Sequence, residues 1–299
     1  TDWLFVRGVN LLIPHAFYYS IRGPRRSGER PPDVGPNNIW WPDYATFVRY
    51  IKRLGWLMTD GVNVTPIAVL AESDRLPWAL VKLLYQHQIE FNYLEEELLI
   101  SGQCKVEAGE IYVARQRYRW LLIDSPERLS GKLVEVLQDF IRDGGKVLIF
   151  DPTRQNVKLP GACLAGTPEH LIEMLLASIS PDVVLQPPHP DLRASHVVKD
   201  GCHFYLLVNE GEDCICGGLR LGISGRVDAW DAWQGSIEEN CGLLIGENGI
   251  LTYPLHLERR SSLILRIDPN RPPRMAQQVT QRSPVEIARL VNGWTVVGG

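Results

Sequence analysis

Between Pro66 and Phe150 the apolar residues fall into two alternating kinds of run. PIAVL (66–70), IEFNYL (89–94), RWLLID (119–124) and KVLIF (146–150) are short and apolar almost without interruption. That is the pattern of strands buried on both faces, as in a parallel sheet covered by helices. The stretches from Pro77 to about Gln88 and from about Arg128 to Asp143 instead place apolar residues at helical spacing. In the second of these, Leu129, Leu133, Leu137, Phe140 and Ile141 share one face, and Gly144 stands where a left-handed cap is wanted. Thr167 caps a further helix running through Ile179, with Pro168 in its first position. Residues 61–180 therefore read as an α/β domain with a parallel sheet.

The flanks read differently. Trp3 to Ile13 predicts one apolar strand, followed by a long irregular loop and a helix from Pro42, in which Tyr44, Phe47, Val48, Ile51, Leu54 and Met58 recur at helical spacing. A strand, a loop and a helix cannot make a core alone, so residues 1–60 need a neighbour. The helix is expected to bury its apolar face on the α/β domain or on a second copy of the chain. Beyond Pro181, VVLQ (183–186), HFYLLVN (203–209), RVDAWDAW (226–233), ILTYPLH (250–256) and SLILRI (262–267) are short β-rich runs separated by Gly, Asp and Asn. An antiparallel β-sandwich over 181–268 is the natural packing for them. From Pro269 to residue 299 a Pro/Arg/Gln-rich connector leads to a short helix-like stretch and Trp294, read as the start of a further module.

Composition narrows the classes. The chain has 299 residues, 45% hydrophobic and 22% charged, a globular balance with room for two or three domains. A net charge of −4 gives no reason to expect nucleic acid or an anionic membrane as partner. Six cysteines spread over this length do not make a secreted disulfide framework, so a reducing, cytoplasmic setting is expected. No apolar run reaches the ~18 residues of a membrane span, and the opening TDWLFVRG lacks the marks of a signal peptide. A soluble protein is expected. The opening without methionine and the closing NGWTVVGG read as a segment of a larger polypeptide.

Chemistry is harder to find. No glycine-rich phosphate loop follows any of the strands, so no nucleotide, flavin or other cofactor is expected. An amidotransferase-type nucleophile would need a cysteine on a sharp strand-to-helix turn, whereas KVLIF runs into Asp151, Pro152 and Thr153, and Cys104 sits in ISGQCKVE. Cys214 and Cys216 share a strand face, but with Cys202, His203 and Cys241 elsewhere they read as buried free thiols, and no metal site is expected. His87, His170, His196 and His256 have no acid at a telling spacing and read as structural. Glu95, Glu96 and Glu97 suit a solvated turn, and Asp228 and Asp231, flanking Trp230, suit turn hydrogen bonds; neither makes an acid–base pair.

GVNLLIPHAFYYSIRGPRR followed by WWPDYATFVRYIKRLGWLMTDG resembles the last strand, loop and helix of the (β/α)8 barrel of bacterial α-L-rhamnosidase-like and β-galactosidase-like glycoside hydrolases. VTPIAVLAES, FNYL, LLIDSPERLS and LQDFIRDGGKVLIFDP resemble the flavodoxin-like, class I amidotransferase-like domain that follows such barrels. YLLVNEGED and VDAWDAWQGSI resemble their accessory sandwich. The resemblance implies the C-terminal half of such an enzyme, an incomplete barrel piece, a flavodoxin-like sheet and a β-sandwich, with the catalytic carboxylates on earlier strands outside this sequence. It implies that Gly8–Tyr44 faces a saccharide as one wall of its pocket, with His15, Tyr18, Tyr19, Arg22, Trp40 and Trp41 as the contacting residues. The implied partners are the sugar, the rest of the barrel and a second copy in a homo-oligomer. The alternative is a stand-alone, non-catalytic carbohydrate-binding or assembly protein.

Overall fold

A computed structural model describes residues 1–24, 33–72, 75–124, 129–153, 159–245 and 249–276. The strand expected over Trp3–Ile13 does not form. Asp2–Phe5 is a short helix, α1, and the chain leaves it through Gly8 in the left-handed region at φ +92°. Phe5 and Val6 are both buried. Successive residues of a strand point to opposite faces, and a strand needs a hydrogen-bonded neighbour, which residues 9–19 lack among the described strands. A one-turn helix meets both conditions, and Tyr50 Oη fixes it by donating to Asp2 Oδ1.

The second helix forms as expected. A 3₁₀ turn at Trp41–Asp43, with Pro42 in it, opens α2 (Tyr44–Met58). Its buried line is Tyr50, Leu54 and Leu57, with Ile51 and Met58 beside it, while Val48 is exposed. The surface it covers is neither the α/β domain nor a second copy. It packs on the sandwich, against Cys202, Phe204, Leu206 and Val208. Those residues alternate along one strand with Tyr205 and Leu207, which face the sandwich interior. Within HFYLLVN, residues 204–208 are apolar without interruption because both faces of the strand are covered.

The chain next contributes β1 (Val62–Asn63) to the same sandwich sheet, then enters the parallel sheet. There follow β2 (Ile67–Ala71), α3 (Trp78–Gln86), β3 (Asn92–Glu95) and α4 (Glu96–Ile100). A hairpin layer of β4 (Lys105–Glu107), β5 (Glu110–Val113) and β6 (Gln116–Tyr118) intervenes. Then come β7 (Trp120–Asp124), α5 (Gly131–Arg142), β8 (Lys146–Phe150), β9 (Cys163–Ala165) and α6 (Pro168–Ser178). The sheet order is β3-β2-β7-β8-β9, and every pair is parallel. Ile67, Val69, Leu122 and Leu148 face α3 and α6; Ala68, Leu121, Ile123 and Ile149 face α5 and α4. Helices on both faces explain the uninterrupted apolar runs. Two caps fall where expected: Thr167 Oγ1 accepts from His170 N–H, and Gly144 takes φ +102°; Ser130, not singled out in the sequence, caps α5 with its Oγ accepting from Leu133 N–H. Glu95–Glu97, expected in a solvated turn, instead carry the chain from β3 into α4.

The sandwich comprises β10 (Val183–Gln186), β11 (Leu192–Lys199), β12 (Cys202–Asn209), β13 (Ile215–Leu221), β14 (Arg226–Asp231), β15 (Ser236–Glu238), β16 (Gly242–Ile245), β17 (Leu251–Leu257), β18 (Ser262–Asp268) and β19 (Arg274–Met275). One sheet runs β1-β11-β12-β18-β14-β15, the other β10-β13-β17-β16-β19. The molecule is thus mixed α/β with several sheets, one parallel and the rest antiparallel but for the β16–β19 pair. The short β19 is the described part of the connector; residues 277–299, with Trp294, lie outside the described residues, as do 25–32 of the loop and Arg128.

Candidate functional site

The loop ahead of α2 is organised around Asp33. Its Oδ1 accepts from Tyr18 N–H at 3.0 Å, its carbonyl accepts from Asn38 Nδ2 at 2.7 Å, and Val34 N–H donates to the Ala16 carbonyl at 2.9 Å. The Tyr18 N–H bond holds the Asp33 carboxyl below its ordinary range. These bonds bring the two arms of the loop together and place its aromatic rings. Trp41 stacks on Tyr44 at 5.4 Å, and Phe17 meets both edge-on at 6.3 and 5.8 Å.

An open cleft of about 720 Å³ lies beside this cluster, lined by His15, Trp40, Asp43, Tyr44, Phe47 and Trp233 among others. Trp233 arrives from the sandwich. After β14 the Asp231 carboxylate accepts the N–H groups of Trp233 and Gln234 at 2.8 and 2.9 Å, and Gly235, at φ +74°, closes the turn on the Asp231 carbonyl. Trp233 leans edge-on against Tyr50 at 5.2 Å and remains half exposed. The cleft therefore has an aromatic floor built from two parts of the fold, with an imidazole and a carboxylate at its rim. Chemically, such a surface offers ring faces able to cover C–H groups and, in His15 and Asp43, polar atoms able to pair with hydroxyls.

Of the six residues expected at a sugar wall, the structure brings His15 and Trp40 into this cleft and sets Trp41 directly behind it. Tyr18 is half-buried within the loop, and Tyr19 and Arg22 are exposed away from the lining. Trp233 was not singled out, because its contribution depends on a turn that packs far along the chain; locally it shows only within the string VDAWDAWQGSI, in which Trp230-Asp231 precedes Gly235.

A second, smaller cavity of about 220 Å³ sits where α1, α3 and the sandwich meet, lined by Arg7, Asn63, Tyr85, Glu90, Asn92 and Ser195 among others. Glu90 Oε1 accepts from Asn63 Nδ2 at 2.7 Å and Ser195 Oγ at 3.2 Å. Burial pushes its carboxyl up to about 8, against the pull of those two bonds, and the Asp182 charge adds to the rise. Arg7 closes the junction between the rings of Trp3 and Tyr85, at 4.3 and 4.6 Å, and pairs with Glu210, whose Oε2 lies 2.9 Å from Arg193 Nε.

The histidines and cysteines depart from their sequence reading. His196 is buried and does have an acid: Nδ1 lies 2.8 Å from Asp182 Oδ2, and Nε2 lies 2.8 Å from His203 Nδ1. Cys214 and Cys216 are exposed, not buried, and converge with His256, whose Nε2 is 2.9 Å from Glu258 Oε1. The expected sharing of a face was right; the neighbour on the paired strand was invisible to local spacing. Cys202, His203 and Cys241 stay apart from this group, with Cys202 and Cys241 buried.

No family model matches the chain, and no curated protein matches it by sequence. Solved structures do. A rhamnosidase from Novosphingobium sp. PP1Y superposes with TM-score 0.64 at 15% identity, covering 97% of this chain and 30% of that one. A catalytic mutant of a GH42 β-galactosidase from G. stearothermophilus superposes with TM-score 0.51 at 10% identity, covering 79% of this chain and 45% of that one. The structural neighbours are glycoside hydrolases, the likeness is one of fold, and the chain spans less than half the length of either.

Proposed function

We propose that this chain is the accessory part of a carbohydrate-active glycoside hydrolase, contributing one wall of a sugar pocket through His15 and Trp40, with Trp41, Tyr18, Tyr19 and Arg22 around them. The observation that carries the reading is the open aromatic cleft in which the loop and the sandwich turn meet. The fold likeness supports it, because almost the whole chain superposes on part of a rhamnosidase. Residues 61–180 are read as a flavodoxin-like domain: numbered by chain order, the parallel strands lie 2-1-3-4-5, as in that fold. Its strand-to-helix turns carry no glycine-rich anion cradle, so its role is packing and assembly rather than cofactor binding.

Hydrolysis of a glycosidic bond typically needs two carboxyl groups flanking the bond. Among the described residues Asp43 is the one carboxylate lining the cleft, so the chain alone is expected to bind sugar without cleaving it. The test uses a panel of nitrophenyl glycosides and their parent sugars, with tryptophan fluorescence as the binding signal. Binding that Trp40→Ala and Trp233→Ala each weaken at least about tenfold, with no turnover above buffer, is the expected result. Turnover abolished by replacing an acid of this chain, or binding indifferent to both tryptophans, would defeat it.

A further inference from the structure

Two thiols, an imidazole and a carboxylate share the solvent face of the second sandwich sheet. In β13 and β17, Ile215, Leu219, Leu255 and Leu257 point into the core and are nearly inaccessible. The two-residue period of a strand then turns Cys214, Cys216, His256 and Glu258 outward together. Cys216 and His256 are directly opposite in the antiparallel register, and Cys214 and Glu258 lie two residues further along their respective segments. The resulting separations are 3.3 Å between the two sulfurs, 3.2 Å from Cys216 Sγ to His256 Nδ1 and 3.8 Å from Cys214 Sγ to the same nitrogen.

We infer that Cys214, Cys216 and His256 form a binding site for a thiophilic divalent cation of the zinc class, with Glu258 orienting the imidazole. Tetrahedral Zn²⁺ with Zn–S of about 2.3 Å and Zn–N of about 2.0 Å has edges of about 3.8 Å between sulfurs and about 3.5 Å between sulfur and nitrogen. The three observed separations need change by no more than about half an ångström, within the reach of side-chain rotation, to match these edges. The carboxylate completes the chemistry. His256 Nε2–H donates to Glu258, which leaves the lone pair on Nδ1, the nitrogen that faces the sulfurs. Binding breaks two S–H bonds, the two protons pass to water, and the thiolate pairs go to the metal. Two sulfurs and one nitrogen leave a fourth position for water.

The experiment takes the full chain, reduced and stripped by a chelator, and titrates it with Co²⁺ as spectroscopic probe, followed by Zn²⁺. One cobalt per chain, a sulfur-to-metal charge-transfer band, d–d absorption of tetrahedral strength and displacement by Zn²⁺ are expected. Cys216→Ser and His256→Ala should abolish the band, Glu258→Gln should weaken binding about 10- to 100-fold, and Cys163→Ser, in the parallel sheet, should leave it unchanged. All three site side chains are exposed, so the variants are expected to keep the wild-type far-ultraviolet spectrum, which serves as the folding control. Bound Zn²⁺ should also protect Cys214 and Cys216 from alkylation, read by peptide mass. A reduced chain that shows no charge-transfer band, or a band that survives both Cys216→Ser and His256→Ala, overturns the site.

Discussion

Glu90 lines the small cavity between the parallel-sheet layer and the sandwich, half-buried, and desolvation holds its carboxyl well above the ordinary range. Its folded pKa of about 8 stands against an ordinary 4.5. Below 4.5 the folded and unfolded chains both hold this proton; between the two values only the folded chain does, so the contribution of Glu90 to stability is fullest at low pH and is lost as pH rises through that window. The slope reaches at most about 1.4 kcal/mol per pH unit for one proton. Glu90→Gln retains an acceptor for Asn63 and Ser195 and removes the charge. Urea unfolding of wild type and variant at about pH 5 and about pH 8 should show the variant gaining relative stability at the higher pH. An unchanged difference between the two at both values would show that Glu90 ionises freely. Nothing local in IEFNYL marks this residue, because its surroundings are supplied by Ser195 of β11 and Asn63 of β1.

At the scale of elements, what the sequence disclosed depended on where an element finds its partners. Strands β2, β7 and β8 and helices α5 and α6 carry their own signals, continuous apolar runs, helical spacing and caps, and they lie where those signals place them. The hairpin layer of β4, β5 and β6 escaped notice because KVE, EIYV and QRY are short and mixed in polarity; Ile111 and Tyr118 are buried in the core under α5, with Val106 and Val113 half-buried against it. The Trp3–Ile13 expectation failed for the converse reason: apolar residues there serve a helix and a loop. The candidate cleft was half legible in the same way: His15 and Trp40 stand out in their own loop, whereas Trp233 and the convergence of Cys214, Cys216 and His256 emerge only from turn packing and strand register. For α2 the periodicity revealed an apolar face but not what covers it. Leu54, fully buried between that helix and the sheet, tests the packing: Leu54→Ala should cost about 2–5 kcal/mol in chemical denaturation. A loss under about 1 kcal/mol would mean that the helix is only loosely seated on the sandwich.

For the whole molecule, the interesting joint is the ion cluster at which three parts of the chain meet. Arg7 belongs to the N-terminal segment, Arg193 and Glu210 to the sandwich, and the Tyr85 ring under Arg7 to a helix of the parallel-sheet layer. The three charged side chains are each about 12–15% exposed, so their mutual attraction is little screened by solvent. Burial lowers the Arg193 guanidinium, partly opposed by Glu210, and the neighbouring Arg7 charge lowers it further. One carboxylate thus answers two guanidinium groups. Glu210→Ala leaves both cations facing each other and should cost about 3–5 kcal/mol, more than a surface ion pair could. Because the two arginines share one partner, Arg193→Ala added to Glu210→Ala should cost less than the sum of the single changes. Hydrogen exchange can show where that energy acts: in Glu210→Ala, amides of α1 and α3 should lose protection, while Leu121 to Ile123 and Val147 to Ile149 keep theirs. Uniform loss across all of these amides would mean that the cluster supports the fold as a whole, and strict additivity of the two substitutions would show that the arginines do not share Glu210.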